Sequence, residues 1–99
     1  MYTLITAAAS SQAYQLKSKL DSASVILGDY LELPKFMLAT ANMIQLPDPK
    51  TIAYAHEMLT LCLDKEISII YVLREEEHAL LNEAAQLFNE FGIEIVDNF

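Results

Sequence analysis

Glycine is scarce in this chain, with only Gly28 and Gly92 among 99 residues. A phosphate-binding loop needs several glycines close together, because the backbone must turn tightly and approach the phosphate oxygens. The sequence therefore excludes a standard glycine-rich nucleotide loop. Cysteine is nearly absent as well, and the single Cys62 rules out an internal disulfide.

Basic residues are also few. The chain has six Lys and Arg against fourteen Asp and Glu, which gives a formal net charge of −8. Nucleic acids and anionic membranes are bound by clustered basic side chains, so we expect neither as a partner. No apolar run approaches the roughly 20 residues of a membrane span, and the N-terminus lacks the basic segment of a secretory signal. A cytoplasmic protein is expected.

Hydrophobic residues, in contrast, make up 54% of the chain. Ninety-nine residues are enough for one domain, residues 1–99, which can bury a core but without much margin. Such a high apolar fraction predicts that part of the apolar surface is covered by a partner, because exposed apolar patches usually mark interfaces. We therefore expect a homodimer or a partner protein.

Apolar segments alternate along the chain with segments of helical periodicity. The five predicted strands are YTLITA, SVILG, MIQL, SIIYVL and IEIV. The first predicted helix is capped by Ser10 or Ser11, and LPKFMLAT forms a short second helix. A third helix is predicted to start at Asp48 and Pro49, and a fourth runs from Arg74 to Gly92. Residues of the third helix with i, i+3, i+4 spacing form its predicted apolar face: Ile52, Ala55, Leu59 and Cys62.

This alternation predicts an α/β fold, a doubly wound five-stranded parallel sheet of Rossmann-like type with helices on both faces. The first and fourth strands are apolar throughout and should be central, whereas the third and fifth carry polar residues and should be edges. Right-handed connections then give the strand order 3-2-1-4-5. Ligands in such sheets bind at the carboxyl ends of the strands where the order reverses, here between strands one and four.

The candidate binding residues are those that this topology brings to the switch point. They are Thr6, Ser10, Ser11, Asp29, Arg74 and Glu75. The turn after strand one offers the free N–H groups of a helix N-terminus but has Ala7 and Ala9 at glycine positions. Asp29 is placed either to hold a ribose hydroxyl or to satisfy its own turn. Arg74 is placed either to bind an anion, in which case Arg74→Ala weakens ligand binding without unfolding the domain, or to pair with Glu77.

Other chemical signals are weak. The stretch AHEMLT begins like a zinc-protease helix, but Thr60 stands where the second histidine is required, so His56 and Glu57 are expected on a solvated flank. Cys62 lies among leucines and is expected to be a buried hydrophobe. No nucleophile, base and orienting group are found together. The sequence predicts no enzyme activity, no metal site and no cofactor.

The chain resembles the pre-ATP-grasp domain, the small α/β unit that precedes the catalytic core of ATP-grasp ligases of the carbamoyl-phosphate-synthase and biotin-carboxylase type. The matching segments are LITAAASSQAYQLKSKL, VILGDYLELPKFMLAT, MIQLPDPK and ISIIYVLREEEHALLNEAAQLFNEFGIEIV. Two departures stand out: Ala8 and Ala9 replace glycine, and no ATP-grasp region is present. The resemblance therefore implies a detached accessory domain rather than a ligase.

Two functions follow as hypotheses. In the first, the chain is a non-catalytic domain that works through protein contacts, as a homodimer or docked on a separately encoded ATP-grasp protein. In the second, it binds a small molecule or nucleotide in the switch-point crevice.

Overall fold

Five parallel strands form one sheet in the order β3-β2-β1-β4-β5, as predicted. The computed structural model describes residues 2–8, 10–20, 24–31, 35 and 43–97. The strands are β1 (Tyr2–Ile5), β2 (Val25–Asp29), β3 (Met43–Gln45), β4 (Ile67–Val72) and β5 (Glu94–Asp97). The short, partly polar β3 and β5 are the two edges, and the apolar β1 and β4 are central.

Four helices lie within the part of the chain that the structure describes. They are α1 (Ser11–Lys19), α2 (Tyr54–Asp64), α3 (Glu75–Glu83) and α4 (Ala85–Glu90). The predicted helix LPKFMLAT falls outside the described residues except for Lys35. None of the described helices is long and apolar enough to cross a membrane.

The predicted start of the third helix is wrong. Asp48 does not cap a helix; its carboxylate accepts a hydrogen bond from the backbone N–H of Lys50, at 2.9 Å, in a local turn. Such a turn competes with helix formation, and α2 begins only at Tyr54. Ile52 consequently lies in the turn and is fully exposed, not on the apolar face of the helix.

The predicted last helix is divided in two. The backbone N–H of Ala84 bonds to the carbonyl of Leu81, three residues back, so the chain tightens for one residue between α3 and α4. Gly92 ends α4 as predicted, with a φ of 77°, and the N–H of Ile93 bonds to the carbonyl of Phe88. This is the Schellman arrangement, which requires a residue that tolerates positive φ.

The sheet carries a separate apolar core on each face. On one face, β1 and β4 pack with α2, α3 and α4 through residues such as Leu4, Ile70, Cys62 and Phe88. On the other face, which we call the α1 face, the core contains Ile5, Ala13, Val25, Leu27 and Met43. Because β1 and β4 contribute side chains to both cores, their sequences are apolar without alternation.

Candidate functional site

Hydrogen bonds to the neighbouring strands hold the β1–α1 connection, which joins β1 to α1. Thr6 is buried, and its hydroxyl accepts a bond of 2.9 Å from the backbone N–H of Leu73, which ties the connection to the end of β4. The N–H of Ala8 donates to the carbonyl of Gly28 at 3.0 Å. Ala7 adopts a φ of 55°, a left-handed conformation that glycine accepts more readily than alanine.

Ser10 caps α1, as the sequence predicts. Its hydroxyl accepts a bond from the backbone N–H of Ala13 at 3.2 Å and donates to the carbonyl of Ala7 at 2.9 Å. The hydroxyl of Ser10 thus both accepts and donates a hydrogen bond at the start of α1. Ser11 is the exposed first residue of α1. No described hydrogen bond or ion pair joins either serine to Asp29 or Arg74 in the part of the chain that the structure covers.

Asp29 and Arg74 do come together at the switch point. Arg74 holds the carboxylate with both of its terminal nitrogens: Nη1 lies 2.6 Å from Oδ1 and Nη2 lies 3.2 Å from Oδ2. The backbone N–H of Leu31 donates to the same Oδ1 at 3.1 Å. Asp29 is fully buried, and the side chain of Arg74 is 22% exposed. Charge-assisted bidentate pairs of this kind fix both partners in orientation as well as in position.

The network continues into the helices on the other side of the crevice. Nη1 of Arg74 lies 3.4 Å from Oε1 of Glu77, and the hydroxyl of Tyr54 donates to Oε2 of Glu77 at 2.8 Å. Glu77 is buried, and this burial raises the pKa of its carboxyl group, although the Tyr54 bond and Arg74 act in the opposite direction. Burial is also the main cause that raises the pKa of Tyr54.

Tyr30 covers the outer side of this network. Its ring centre lies 4.8 Å from the guanidinium carbon of Arg74, a cation–π contact, and its hydroxyl donates to Oε1 of Glu76 at 2.9 Å. The bond to Glu76 is the main cause that raises the pKa of Tyr30. Four residues at the start of α3 line an open depression beside it: Arg74, Glu75, Glu76 and Ala79. Acidic side chains therefore dominate the rim.

The sequence-based candidates thus divide into two groups. Asp29 and Arg74 are bonded to each other, and Thr6 bonds to the neighbouring backbone N–H of Leu73. Ser10 and Ser11 instead lie at the start of α1, and Glu75 lies exposed on the rim. Of the two alternatives predicted for Arg74, the pair with Glu77 is present, but the shorter contact is with Asp29, and anion binding stays a prediction. Because Arg74→Ala removes a cation that contacts two buried carboxylates, we expect the variant to affect folding as well.

Sequence reasoning missed one member of the network, Tyr54, and gave Glu77 only as an alternative partner of Arg74. The spacing from Arg74 to Glu77 was a usable signal. The burial of Glu77 could not be predicted from the sequence, because it depends on the packing of α2 against α3.

The predicted placements of His56, Glu57 and Cys62 agree with the structure. His56 and Glu57 are exposed on α2, and Cys62 is buried, which raises the pKa of its thiol to about 12. Such a thiol is a poor nucleophile, because the reactive species is the thiolate. Within the described ranges, no group of three or more His, Cys, Asp or Glu side chains is arranged to hold a metal ion.

Comparison with known proteins informs the fold. No family model and no curated protein matches the chain. A solved structure, L-threonine 3-dehydrogenase from Trypanosoma brucei, is similar with a TM-score of 0.62 and 18% sequence identity, over 96% of this chain and 35% of that one. The fold is Rossmann-like. At this identity the similarity shows the fold alone, and the chain spans about 35% of the dehydrogenase's length.

Proposed function

We propose that this chain is a non-catalytic α/β domain that acts through protein contacts, as a homodimer or as an accessory unit of a separately encoded ATP-grasp protein. The observation that carries the proposal is the closed hydrogen-bond network at the switch point. Within the described residues, no buried side-chain nitrogen or oxygen lacks a hydrogen-bond partner. The charged groups there stabilise one another instead of converging on a ligand.

Asp29 is the strongest single argument. It stands at the end of β2, where a dinucleotide-binding domain places the carboxylate that holds the ribose. Here both carboxylate oxygens already lie within hydrogen-bond distance of Arg74. A ribose hydroxyl would have to reach a carboxylate that is fully buried and already held by a charged, bidentate partner.

The β1–α1 connection supports the same proposal. Ala7, which stands at a glycine position of the dinucleotide pattern, is buried and carries a methyl group that glycine lacks. The exposed apolar side chains elsewhere, including Tyr14, Leu63 and Phe91, agree with contacts to another protein. We include in this proposal the resemblance to the pre-ATP-grasp domain and a cytoplasmic location of the protein.

Native mass spectrometry of freshly purified protein tests it. One spectrum reports the assembly state and any retained small molecule. We expect a dimer, or a complex with an ATP-grasp protein when one is co-expressed, without additional mass. A monomer that carries a reproducible small-molecule adduct would contradict the proposal.

A small-molecule or nucleotide binder remains the second candidate, because the side chain of Arg74 is 22% exposed beside the open depression. Binding would raise the melting temperature at millimolar ligand concentration. Glu75→Gln on the rim should change that shift, whereas the matched variant Glu57→Gln on exposed α2 should not. No shift with any nucleotide or metabolite would reject this candidate.

A further inference from the structure

Half of the α1 face of the sheet is covered by no helix within the described residues. The side chains of α2, α3 and α4 belong to the core on the opposite face, and α1 is the helix that contributes to the core on this face. Ile69 and Val96 are only partly buried and belong to neither core. Strand register places them beside two further side chains on this face, Tyr71 and Glu94. We call these four residues the open strip.

The open strip lies beside a ridge formed by α1. The connection from β1 through α1 to β2 is right-handed in parallel sheets, so α1 packs over β1 and β2. β4 and β5 lie on the other side of β1. A twofold axis parallel to the strands would therefore place α1 of each copy over the open strip of the other. The contact between α1 of one copy and the open strip of the other would then occur twice, as a closed symmetric dimer requires.

Charge complementarity favours the same occupant. α1 contains Lys17 and Lys19 and no acidic residue, whereas the open strip contains Glu94, the first residue of β5. Because α1 runs antiparallel to the strands, its basic last turn lies at the level where β5 begins with Glu94. The chain as a whole carries a net charge of −8, so two copies repel at long range unless an arrangement of this kind brings opposite charges together.

We infer that the open strip and α1 form the interface between two copies of this chain, with α1 of each copy seated across β4 and β5 of the other. This inference rests on the proposed function, since it names the surface through which the homodimer forms. Tyr14, which is 45% exposed on α1, supplies an apolar side chain to the partner's sheet.

Analytical ultracentrifugation of four single variants tests the surface. Tyr14→Glu and Val96→Glu place a charge on the two sides of the interface. Leu63→Glu and Phe91→Glu place the same charge on exposed apolar residues at the ends of α2 and α4, whose helices cover the opposite face. We expect the first pair to weaken dimerisation at least about tenfold and the second pair to leave it unchanged. Tyr14→Glu alters a helix surface, so it stays informative if Val96→Glu fails to fold.

A second experiment tests the charges. Lys17→Glu/Lys19→Glu should weaken the dimer more than Lys50→Glu/Lys65→Glu, which changes the net charge equally on exposed positions elsewhere. An equal effect of the two double variants would overturn the charge argument.

The outcomes separate this inference from the proposed function. A wild-type dimer that persists in Tyr14→Glu and Val96→Glu overturns the inference and leaves the homodimer intact. A wild-type protein that stays monomeric at about 0.1 mM overturns the inference and the homodimer together.

Discussion

The β1–α1 connection and the β4–α3 connection border the same crevice, but they satisfy their polar groups by different means. The first uses neutral groups, namely backbone amides and carbonyls and the hydroxyls of Thr6 and Ser10. The second uses charges, because Arg74 pairs with Asp29 at the end of β2 and with Glu77 three residues along the chain. Both connections bond to elements that are distant in sequence, but the second does so through buried charged groups.

This difference has an energetic consequence. Loss of a hydrogen bond between neutral groups leaves an uncharged polar group without its partner. Loss of one member of the charged network leaves a buried ion without its partner, which costs far more. Variants in the β4–α3 connection should therefore destabilise the domain more than variants in the β1–α1 connection.

Arg74→Ala is expected to have the largest effect. It removes the guanidinium that contacts the buried carboxylates of Asp29 and Glu77, at a cost of about 3–5 kcal/mol in the free energy of unfolding. Urea unfolding followed by circular dichroism measures the loss. Arg74→Lys is the matched control and should lose less, because it keeps the charge but not the bidentate geometry. A loss below about 1 kcal/mol for Arg74→Ala would mean that the network contributes no more than a surface pair.

Glu77 makes the charged connection sensitive to pH. Burial raises the pKa of its carboxyl group in the folded protein, so the folded state binds this proton more tightly than the unfolded chain does. The resulting stabilisation is complete below the unfolded pKa and disappears as the pH rises through the higher folded value. Urea unfolding between acidic and neutral pH should thus show wild type losing stability relative to Glu77→Gln. The opposite trend would mean that Arg74 outweighs burial.

Much of the fold was predictable from the sequence, because a strand that is buried on both faces is apolar without alternation. The apolar β4 and the polar ends of β3 and β5, such as Gln45 and Glu94, were enough to order the strands. The start of α2 was not predictable in the same way, because Asp48 and Pro49 have the sequence pattern of a helix start but form a local turn.

The candidate site was predictable in position but not in its contacts. Topology brought Asp29 and Arg74 to one edge of the sheet, and the structure joins them. Whether two such residues bind each other or a ligand depends on distances of a few tenths of an ångström, which residue spacing does not specify. Tyr54 was missed because its role arises from the packing of α2 against α3.

Within the β1–α1 connection, Ser10→Ala should cost about 1 kcal/mol in the free energy of unfolding, because it removes the cap bond to the N–H of Ala13. Ser18→Ala in the same helix is the control. Ser18 is exposed and alanine is the better helix former, so we expect no loss there. Thermal unfolding of the two variants side by side measures the difference. Equal stability would show that the cap contributes nothing to the connection.

The smallest effect concerns two non-glycine residues that have a positive φ in the described part of the chain, Ala7 at 55° and Glu66 at 58°. Glycine relieves backbone strain at either position, by up to about 1 kcal/mol. Glu66 is exposed, so Glu66→Gly should keep most of that gain. Ala7 is buried, and loss of its methyl group offsets the gain by about 0.8 kcal/mol, so Ala7→Gly should be nearly neutral in urea unfolding. Equal gains at both positions would mean that the Ala7 methyl packs against nothing, and the β1–α1 connection would then have room for a ligand after all.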